Sequence, residues 1–222
     1  YKRGISSTRD RILLGMSAID ILSSTSLMLG PLPSPTGEID MVGAVGTTRT
    51  CSTQGFFIQL GFSIPIYNGM LAVHFFLLIG RNWDARTITK RLEWSFHGLP
   101  LGFGLSTAIY GARKRIFNSN GSFCYIEAYP YNCGWNLWQG CENAVNATRL
   151  FSAFAIGPAI FGFATTLIAL GFMVRSIIIE NNTLSRLYGA NCSGAAGRRS
   201  VQVMTQASLY VSCAIRRRKK SS

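Results

Sequence analysis

The chain has 222 residues, of which 48% are hydrophobic and 14% are charged, and its formal net charge is +13 at pH 7. No zinc spacing, ribonucleoprotein motif or other recognition signature accompanies this charge, so we exclude nucleic acid as a partner. The charged residues instead fall into short segments between long uncharged runs, a distribution that a soluble fold does not require and that is typical of polytopic membrane proteins.

The predicted elements begin with a basic segment, residues 1–11, which we interpret as a cytoplasmic loop. Because the chain starts without Met or a signal-peptide pattern, we expect it to be a piece of a longer protein. A first membrane span follows at residues 12–30 and contains Asp20. A carboxylate in mid-span costs roughly 2.5–3.5 kcal/mol, so Asp20 should face inward, be protonated or hold a cation; a buried, neutral, hydrogen-bonded Asp20 is the alternative. Prolines end this helix, and an outer loop follows at residues 31–50.

The second span, residues 51–80, includes 27 consecutive residues without Lys, Arg, Asp or Glu, from Gln54 to Gly80. Since about 20 such residues cross a bilayer as a helix, this stretch is long enough to cross with a tilt. Pro65 lies within it and predicts a bend in the helix.

Polar side chains interrupt the same span at Gln59, Asn68 and His74. Polar groups are costly in lipid and normally face a bundle interior, where neighbouring helices supply hydrogen-bond partners. The second span therefore predicts a bundle of several helices.

A second cytoplasmic loop, residues 81–93, leads into a third and weaker span at residues 94–111. In the third span, Gly98, Gly102 and Ser106 are spaced four apart and predict a face on which another helix packs closely. The loop carries four cations: Arg81, Arg86, Lys90 and Arg91.

A long outer loop, residues 112–149, holds three of the six cysteines and two glycosylation sequons, at Asn120 and Asn146. Glycans and disulfides both form on the outer side of the membrane, which supports this orientation. Cys51 also lies on the outer side, and four outer cysteines allow three pairings. We expect Cys51 to pair with Cys124, and Cys133 to pair with Cys141.

The fourth span, residues 150–174, is free of charge and contains Pro158, which predicts a second bend. A cytoplasmic linker at residues 175–199 precedes residues 200–222, an incomplete helix with a basic tail that is too short to cross. That helix lies along the cytoplasmic surface, or the chain is a truncated or misread product. The inner segments up to Arg199 hold twelve Lys or Arg, against five in the outer loops, which supports the orientation.

The motifs of enzymes and metal sites are not found in this sequence. It lacks the GxSxG elbow, the HExxH zinc motif and a glycine-rich phosphate loop with its Lys. The outer cysteines lack paired zinc spacing, and His74 and His97 lie within spans. We therefore expect neither catalysis, nor a metal, nor a cofactor.

One set of residues occurs in an order and spacing that is typical of a receptor family. The set is Ser17-Ala18-Ile19-Asp20, Cys51, Trp94, Phe123-Cys124-Tyr125-Ile126, Pro158 and the stretch from Val203 to Val211. On these residues the chain resembles the second to fifth helices, and the beginning of the sixth, of a seven-helix G-protein-coupled receptor. It is most similar to the cyclic-AMP-receptor-like and rhodopsin-like receptors of protists, over about Arg9 to Ile215. Phe75-Phe76-Leu77 stands where rhodopsin-like receptors have Asp-Arg-Tyr.

The resemblance implies an all-α membrane protein, a polytopic transmembrane helix bundle with partial seven-helix receptor architecture. It implies a multi-pass protein of the plasma membrane whose partners are the lipid bilayer, an extracellular ligand of unknown identity and a heterotrimeric G protein. Asp20 and Asn68 would form an inner cation or proton site, and Pro65 and Pro158 would permit bending. The G protein would face Arg81, Arg86, Lys90 and Arg91. Since the resemblance stops at part of the sixth helix, we expect that this chain alone does not signal.

Two alternatives remain at the level of sequence. One is a four-span membrane scaffold of the tetraspanin or claudin type, in which the cysteine-rich loop makes contacts and receives no ligand. The other is a transporter fragment in which Asp20, Gln59 and Asn68 line a path. Further spans before Tyr1 and after Arg199 would favour the receptor.

Overall fold

The structure, a computed structural model, describes residues 7–37, 42–130, 133 and 146–188, with only the helical backbone for residues 183–188. This part of the chain consists of helices and one short hairpin. Contacts divide the chain into two units, Tyr1–Val174 and Arg175–Ser222, and the contacts described below lie within the first. The predicted incomplete helix with its basic tail lies outside the described residues.

Helix α1, Thr8–Met28, begins a turn before the predicted first span. Ile12, Ile19 and Ser23 are buried and share one face, as residues at helical spacing do. Large apolar side chains, among them Leu14 and Ile21, are exposed on the other side of the helix, together with Asp20. The helix ends where Gly30 adopts a positive φ of 51° and the prolines begin.

The predicted second span is helical throughout except for one break. Helix α2, Thr48–Gly61, and helix α3, Ile64–Phe75, are separated by a turn at residues 62–63, and a π-helical turn, Phe76–Gly80, completes the span. Pro65 lacks the N–H that would bond the carbonyl of Gly61, and its ring would clash with that carbonyl. The break therefore lies where a proline at position 65 disfavours an unbroken helix.

Helix α4, Ala85–Lys114, is longer than the predicted third span, because most of the predicted loop at residues 81–93 is helical. The Asp84 side chain caps its first turn by accepting from Arg86 N at 3.2 Å. This cap, together with packing of the fully buried Ile88, extends the helix at its N-terminal end.

The small residues of α4 pack on a different face from the one predicted. Gly98 and Gly102 have no neighbouring atom within 4 Å of an added Cβ, and Ser106 is exposed. The close approaches occur instead at Gly104, against Ser63, and at Gly111, against Phe117. The spacing of four residues indicated a smooth face but not which side of the helix would be covered.

An antiparallel hairpin follows α4, formed by strand β1, Phe117–Ser119, and strand β2, Cys124–Ile126. Phe117 inserts its ring between two helices, since a Cβ on Gly55 would lie 2.6 Å, and one on Gly111 2.3 Å, from ring atoms of Phe117. The glycines thus make room for the ring that fixes the hairpin on α2 and α4.

The predicted fourth span forms helix α5, Ala147–Phe151, a π-helical turn, Ser152–Ile156, and helix α6, Gly157–Tyr188. Helix α6 continues beyond the predicted boundary at residue 174. It approaches α3 closely, because a Cβ on Gly162 would lie 2.1 Å from the Pro65 carbonyl oxygen. Backbone contact of this kind is typical of helix pairs in membranes.

Three helical segments of the described chain are long and apolar enough to cross a membrane: Thr8–Met28, Thr48–Gly80 and Ala147–Asn182. Helix α4 has 30 residues but is less apolar, so it is not among them. Large apolar side chains on these segments point outward. These exposed side chains include Leu14, Ile21, Ile160, Phe163 and Ile168. Soluble monomers rarely expose apolar surface of this extent.

Candidate functional site

The outer end of the bundle is fixed by a disulfide between Cys51, in the first turn of α2, and Cys124, the first residue of β2. Their Cα atoms are 5.2 Å apart, and both residues are buried. The structure therefore confirms the predicted Cys51–Cys124 pairing. Cys133 is also disulfide-bonded, and Cys141, its predicted partner, lies outside the described residues.

A buried amide, Gln54, reinforces this disulfide one turn further along α2. Its Nε2 donates to the carbonyl oxygens of Ser26 and Gly30, each at 2.9 Å, and its Oε1 accepts from Cys124 N at 2.8 Å. The side chain therefore satisfies carbonyls at the C-terminal end of α1, which a helix cannot satisfy itself. One residue thus joins α1, α2 and the hairpin.

A second buried amide, Gln59, joins α2 to the remaining elements of the outer half. Its Nε2 donates to Thr107 Oγ1 at 3.0 Å and to the Phe154 carbonyl oxygen at 3.2 Å. Its Oε1 accepts from the Tyr125 hydroxyl at 2.7 Å. Gln59 is 0% exposed, so these bonds replace solvent at every polar atom that it presents. Its burial agrees with the expectation that the polar residues of this span face an interior.

Aromatic rings enclose Tyr125 on the hairpin. Phe62 and Phe117 stack on it with ring centroids at 5.5 and 6.3 Å, and Phe151 meets it edge-on at 6.0 Å. Burial raises the pKa of the Tyr125 phenol well above its ordinary value, because the phenolate would lose its hydration in this apolar surrounding. The hydroxyl therefore remains a proton donor to Gln59 at physiological pH.

Two open cavities lie at the outer end. One, of about 300 Å³, lies between the loop after α1 and the hairpin, beside Cys51. Its wall includes Thr36, Thr48 and Tyr129 as well as the β1 residues Phe117, Asn118 and Ser119. The other, of about 380 Å³, lies between α2 and α4, lined by Arg49, Ser52, Thr53, Phe56, Phe57 and Ala112. The mixed polar and apolar wall of the first is suited to a small ligand bound from the outer side.

The predicted G-protein-facing residues lie together at the opposite end of the helices. The loop after the π-helical turn carries Arg81, and the first two turns of α4 carry Arg86, Lys90 and Arg91. All four side chains are exposed, and within the described chain none of them pairs with a carboxylate. They form an accessible basic surface, which we call the inner basic surface.

Beside this surface, α1 is locked to α4 by an ion pair that the sequence did not predict. Arg11 donates through Nε to Glu93 Oε1 and through a terminal nitrogen to Glu93 Oε2, the latter at 2.8 Å. The Thr8 and Thr89 hydroxyls hydrogen-bond at 2.7 Å in the same region. The charges of both partners were visible in the sequence, but Glu93 was assigned to a loop and so had no expected position on a helix.

Asp20 and Asn68 do not form the polar interior expected of them. Both side chains are exposed, and no hydrogen bond joins them. The Asp20 carboxylate accepts a long bond from Ser24 Oγ at 3.5 Å, one turn away on α1. The physical reason is the phase of α1, whose packed face is set by Ile12, Ile19 and Ser23. That phase turns Asp20 outward, although the cost of a carboxylate in lipid predicted the reverse.

Two other predicted features have clear positions. Pro65 follows the break between α2 and α3, and the buried Pro158 follows the π-helical turn.

Asn120 forms the hairpin turn, where its Oδ1 accepts from Ser122 N and Phe123 N, and the exposed Asn146 precedes α5. Both sequons therefore lie at the same end of the bundle as the disulfide.

The two histidines take structural positions within the bundle. His97 Nδ1 lies 3.3 Å from the Tyr67 hydroxyl, and His74 is buried beside Phe75 and Phe96. Among the described residues, no three His, Cys, Asp or Glu side chains are grouped so that they could hold a metal ion.

Comparisons with protein-family models, with curated proteins and with solved structures find no match to this chain. Its function must therefore be inferred from its own residues.

Proposed function

We propose that this chain belongs to a G-protein-coupled-receptor-like protein, a multi-pass helix bundle of the plasma membrane. In this proposal, a ligand binds at the outer end and biases the bundle between two arrangements, and the inner basic surface reports the change to a heterotrimeric G protein. The driving free energy is the difference in the ligand's affinity for the two arrangements. The chain requires neither catalysis nor a cofactor for this role.

The observation that carries the proposal is the disulfide Cys51–Cys124, which fastens a loop hairpin over the outer end of an apolar helix. At the other end of that helix, beyond Gly80, the inner basic surface is exposed and not neutralised by carboxylates of the described chain. An open cavity at the outer end and an exposed, charged inner end are what signal reception from one side and contact from the other require. An acidic protein surface is the complementary partner of the inner end.

The outer cavity beside Cys51 is the place that we assign to the ligand. Its wall is made by the hairpin, the loop after α1 and the first turn of α2, so a ligand there contacts all three elements. The prolines at 65 and 158 mark places where the helices are already interrupted and can bend. The cation or proton site expected at Asp20 and Asn68 is not part of this scheme, since both side chains are exposed and no hydrogen bond joins them.

The test places the whole chain in nanodiscs of zwitterionic lipid and measures binding of purified heterotrimeric G proteins from each Gα class. One variant replaces the four inner cations Arg81, Arg86, Lys90 and Arg91 with Gln. A matched control replaces four exposed outer cations, Arg113, Lys114, Arg115 and Arg149, with Gln. We expect salt-sensitive binding that the inner variant weakens about tenfold or more and that the outer control leaves unchanged.

Three results would overturn the proposal. If no Gα class binds the chain, the four-span scaffold becomes the better explanation. If the outer control loses as much binding as the inner variant, the contact is a non-specific attraction to net charge. Resistance of the chain to extraction from cell membranes at alkaline pH is measured first, because a soluble chain would end the proposal before any G protein is added.

A further inference from the structure

The backbone carbonyl of Phe154 cannot make its ordinary helical hydrogen bond. In an α-helix this oxygen accepts from the N–H four residues later, and the residue there is Pro158, which has no N–H. The chain is π-helical at Ser152–Ile156, just before the proline. The carbonyl lies in the half-buried outer part of the bundle, so a replacement donor stabilises the helix there.

Gln59 supplies that donor from another helix. Its Nε2 lies 3.2 Å from the Phe154 oxygen, and the Tyr125 hydroxyl holds its Oε1 at 2.7 Å. The amide has one stable orientation, because a flipped amide would set Oε1 against the Phe154 oxygen. Thr107 Oγ1 favours the same orientation, since it donates to the Phe103 carbonyl at 2.8 Å and accepts from Gln59 Nε2. The Tyr125 hydroxyl thus helps to aim the Gln59 amide at the helix interruption.

Tyr125 in turn lies on the hairpin whose first strand forms part of the wall of the outer cavity. It lies on β2 next to Cys124 and is paired across the hairpin with Asn118, which lines the cavity of about 300 Å³. An occupant of that cavity that shifts Asn118 therefore acts on Tyr125 through the strand pair, next to the point where the disulfide fixes Cys124 to α2. Contacts lead without a gap from the cavity to Asn118, Tyr125, Gln59 and the interrupted helix.

We propose that Gln59 is a positioning residue that couples the outer hairpin to the helix interruption before Pro158. When Tyr125 holds Gln59 Oε1, Nε2 remains on the Phe154 carbonyl and the π-helical turn is stabilised. When the hairpin withdraws the hydroxyl, the amide loses its fixed orientation and the turn loosens. This coupling is a property of the bundle and is tested without a ligand or a G protein, so its outcome is independent of the proposed function.

The experiment measures hydrogen–deuterium exchange of the backbone amides at residues 152–161, with the whole chain in nanodiscs. Tyr125→Phe deletes the hydroxyl and keeps the ring on Phe151. Tyr110→Phe is the matched control, because the Tyr110 ring contacts Phe154 directly at 5.7 Å but its exposed hydroxyl has no hydrogen bond to the described residues. We expect Tyr125→Phe to speed exchange about fivefold, as loss of one hydrogen bond allows, and Tyr110→Phe to leave it unchanged.

Two further variants show whether the effect passes through Gln59 and depends on the proline. In a Gln59→Met background, Tyr125→Phe should cause no additional change, because the acceptor of its bond is gone. In a Pro158→Ala background, residue 158 regains the N–H that can bond the Phe154 carbonyl, and Tyr125→Phe should again have little effect. The proposal is wrong if Tyr125→Phe acts no more strongly than Tyr110→Phe, or if its effect is the same size in the Gln59→Met background.

Discussion

At the scale of single residues, the two glutamines of α2 stabilise the outer half of the bundle. Gln54 and Gln59 are both buried and both hydrogen-bonded through their nitrogen and oxygen atoms. A buried amide is costly when it is unpaired and contributes modestly when it is paired. Removing either glutamine therefore destabilises the fold mainly through the partners that it would leave without a hydrogen bond.

Gln54→Met should destabilise the folded chain by about 2–4 kcal/mol, since the carbonyls of Ser26 and Gly30 and the N–H of Cys124 would lose their partner. The measurement is the midpoint of thermal unfolding in detergent. Asn68→Ala is the control, because Asn68 is an exposed amide on α3 and its removal should shift the midpoint little. Equal shifts for the two variants would contradict the role of Gln54.

Because of Tyr125, the stability of the folded chain depends on pH in the alkaline range. Burial raises its pKa above the ordinary 10.0, so the folded state keeps its proton to higher pH than the unfolded state does. The hydroxyl therefore costs no stability below about pH 10, and stability falls as the pH rises above that value. At every pH below the value at which the chain unfolds, Tyr125→Phe should leave the tyrosinate absorbance of the chain unchanged, because Tyr125 is still protonated there.

The test is the tyrosinate absorbance of the folded chain at about pH 11, where ordinary tyrosines are ionised. If Tyr125→Phe lowers this absorbance, then Tyr125 is not shielded from solvent.

At the scale of elements, the hairpin is fixed by a ring between two glycines. Gly111→Ala should destabilise the chain by about 1–3 kcal/mol, because the new methyl would lie 2.3 Å from the nearest Phe117 ring atom. Gly102→Ala is a matched control on the same helix, with open space at its Cβ. It should be neutral or stabilising, since Ala is favoured over Gly in a helix by about 1 kcal/mol.

Thermal unfolding of the two glycine variants makes the comparison, and Phe117→Leu in the Gly111→Ala background tests its cause. A smaller side chain at 117 should recover part of the lost stability, because it relieves the overlap. If Gly102→Ala is the more damaging change, α4 packs through the face that the glycine spacing predicted, and the arrangement described here is wrong.

Sequence reasoning predicted some elements and missed others for identifiable reasons. Uncharged length predicted the second span, and Pro65 predicted a bend close to the place where the structure has a break, because both signals are local. The Cys51–Cys124 pair was predicted because the assigned topology left few outer cysteines. The outward direction of Asp20 was missed, since the phase of α1 depends on what the other helices offer. The hairpin was missed because its two strands of three residues carry too little pattern to distinguish them from a loop.

At the scale of the whole molecule, the positions of charge and sulfur define two different ends. The disulfide and the sequons at Asn120 and Asn146 lie at one end, and the inner basic surface lies at the other. The outer end also has three exposed cations at the C-terminal end of α4, Arg113, Lys114 and Arg115. The negative end of the helix dipole stabilises their charge there. Charge alone therefore defines the orientation less sharply than the modification sites do.

Glycosylation mapping tests that orientation directly. Three versions of the chain each keep one sequon, at Asn120, Asn146 or Asn181, with the other sequon asparagines, including Asn191, replaced by Gln. Asn181 is exposed on α6, beyond the apolar core of the last predicted span, and serves as the internal reference for the inner side. After translation into microsomes, we expect an enzyme-sensitive mass increase for the Asn120 and Asn146 versions only, because glycans are added on the luminal side.

The pattern distinguishes three arrangements because each places a different set of sequons in the lumen. A glycan at Asn181 alone would mean the opposite orientation, with the inner basic surface outside, and no cytoplasmic G protein could reach it. Glycans at all three positions would mean that the apolar helix Ala147–Asn182, which separates Asn146 from Asn181, does not cross. Glycans at Asn120 and Asn146 without one at Asn181 are the pattern expected if this helix spans the bilayer with the disulfide on the luminal side.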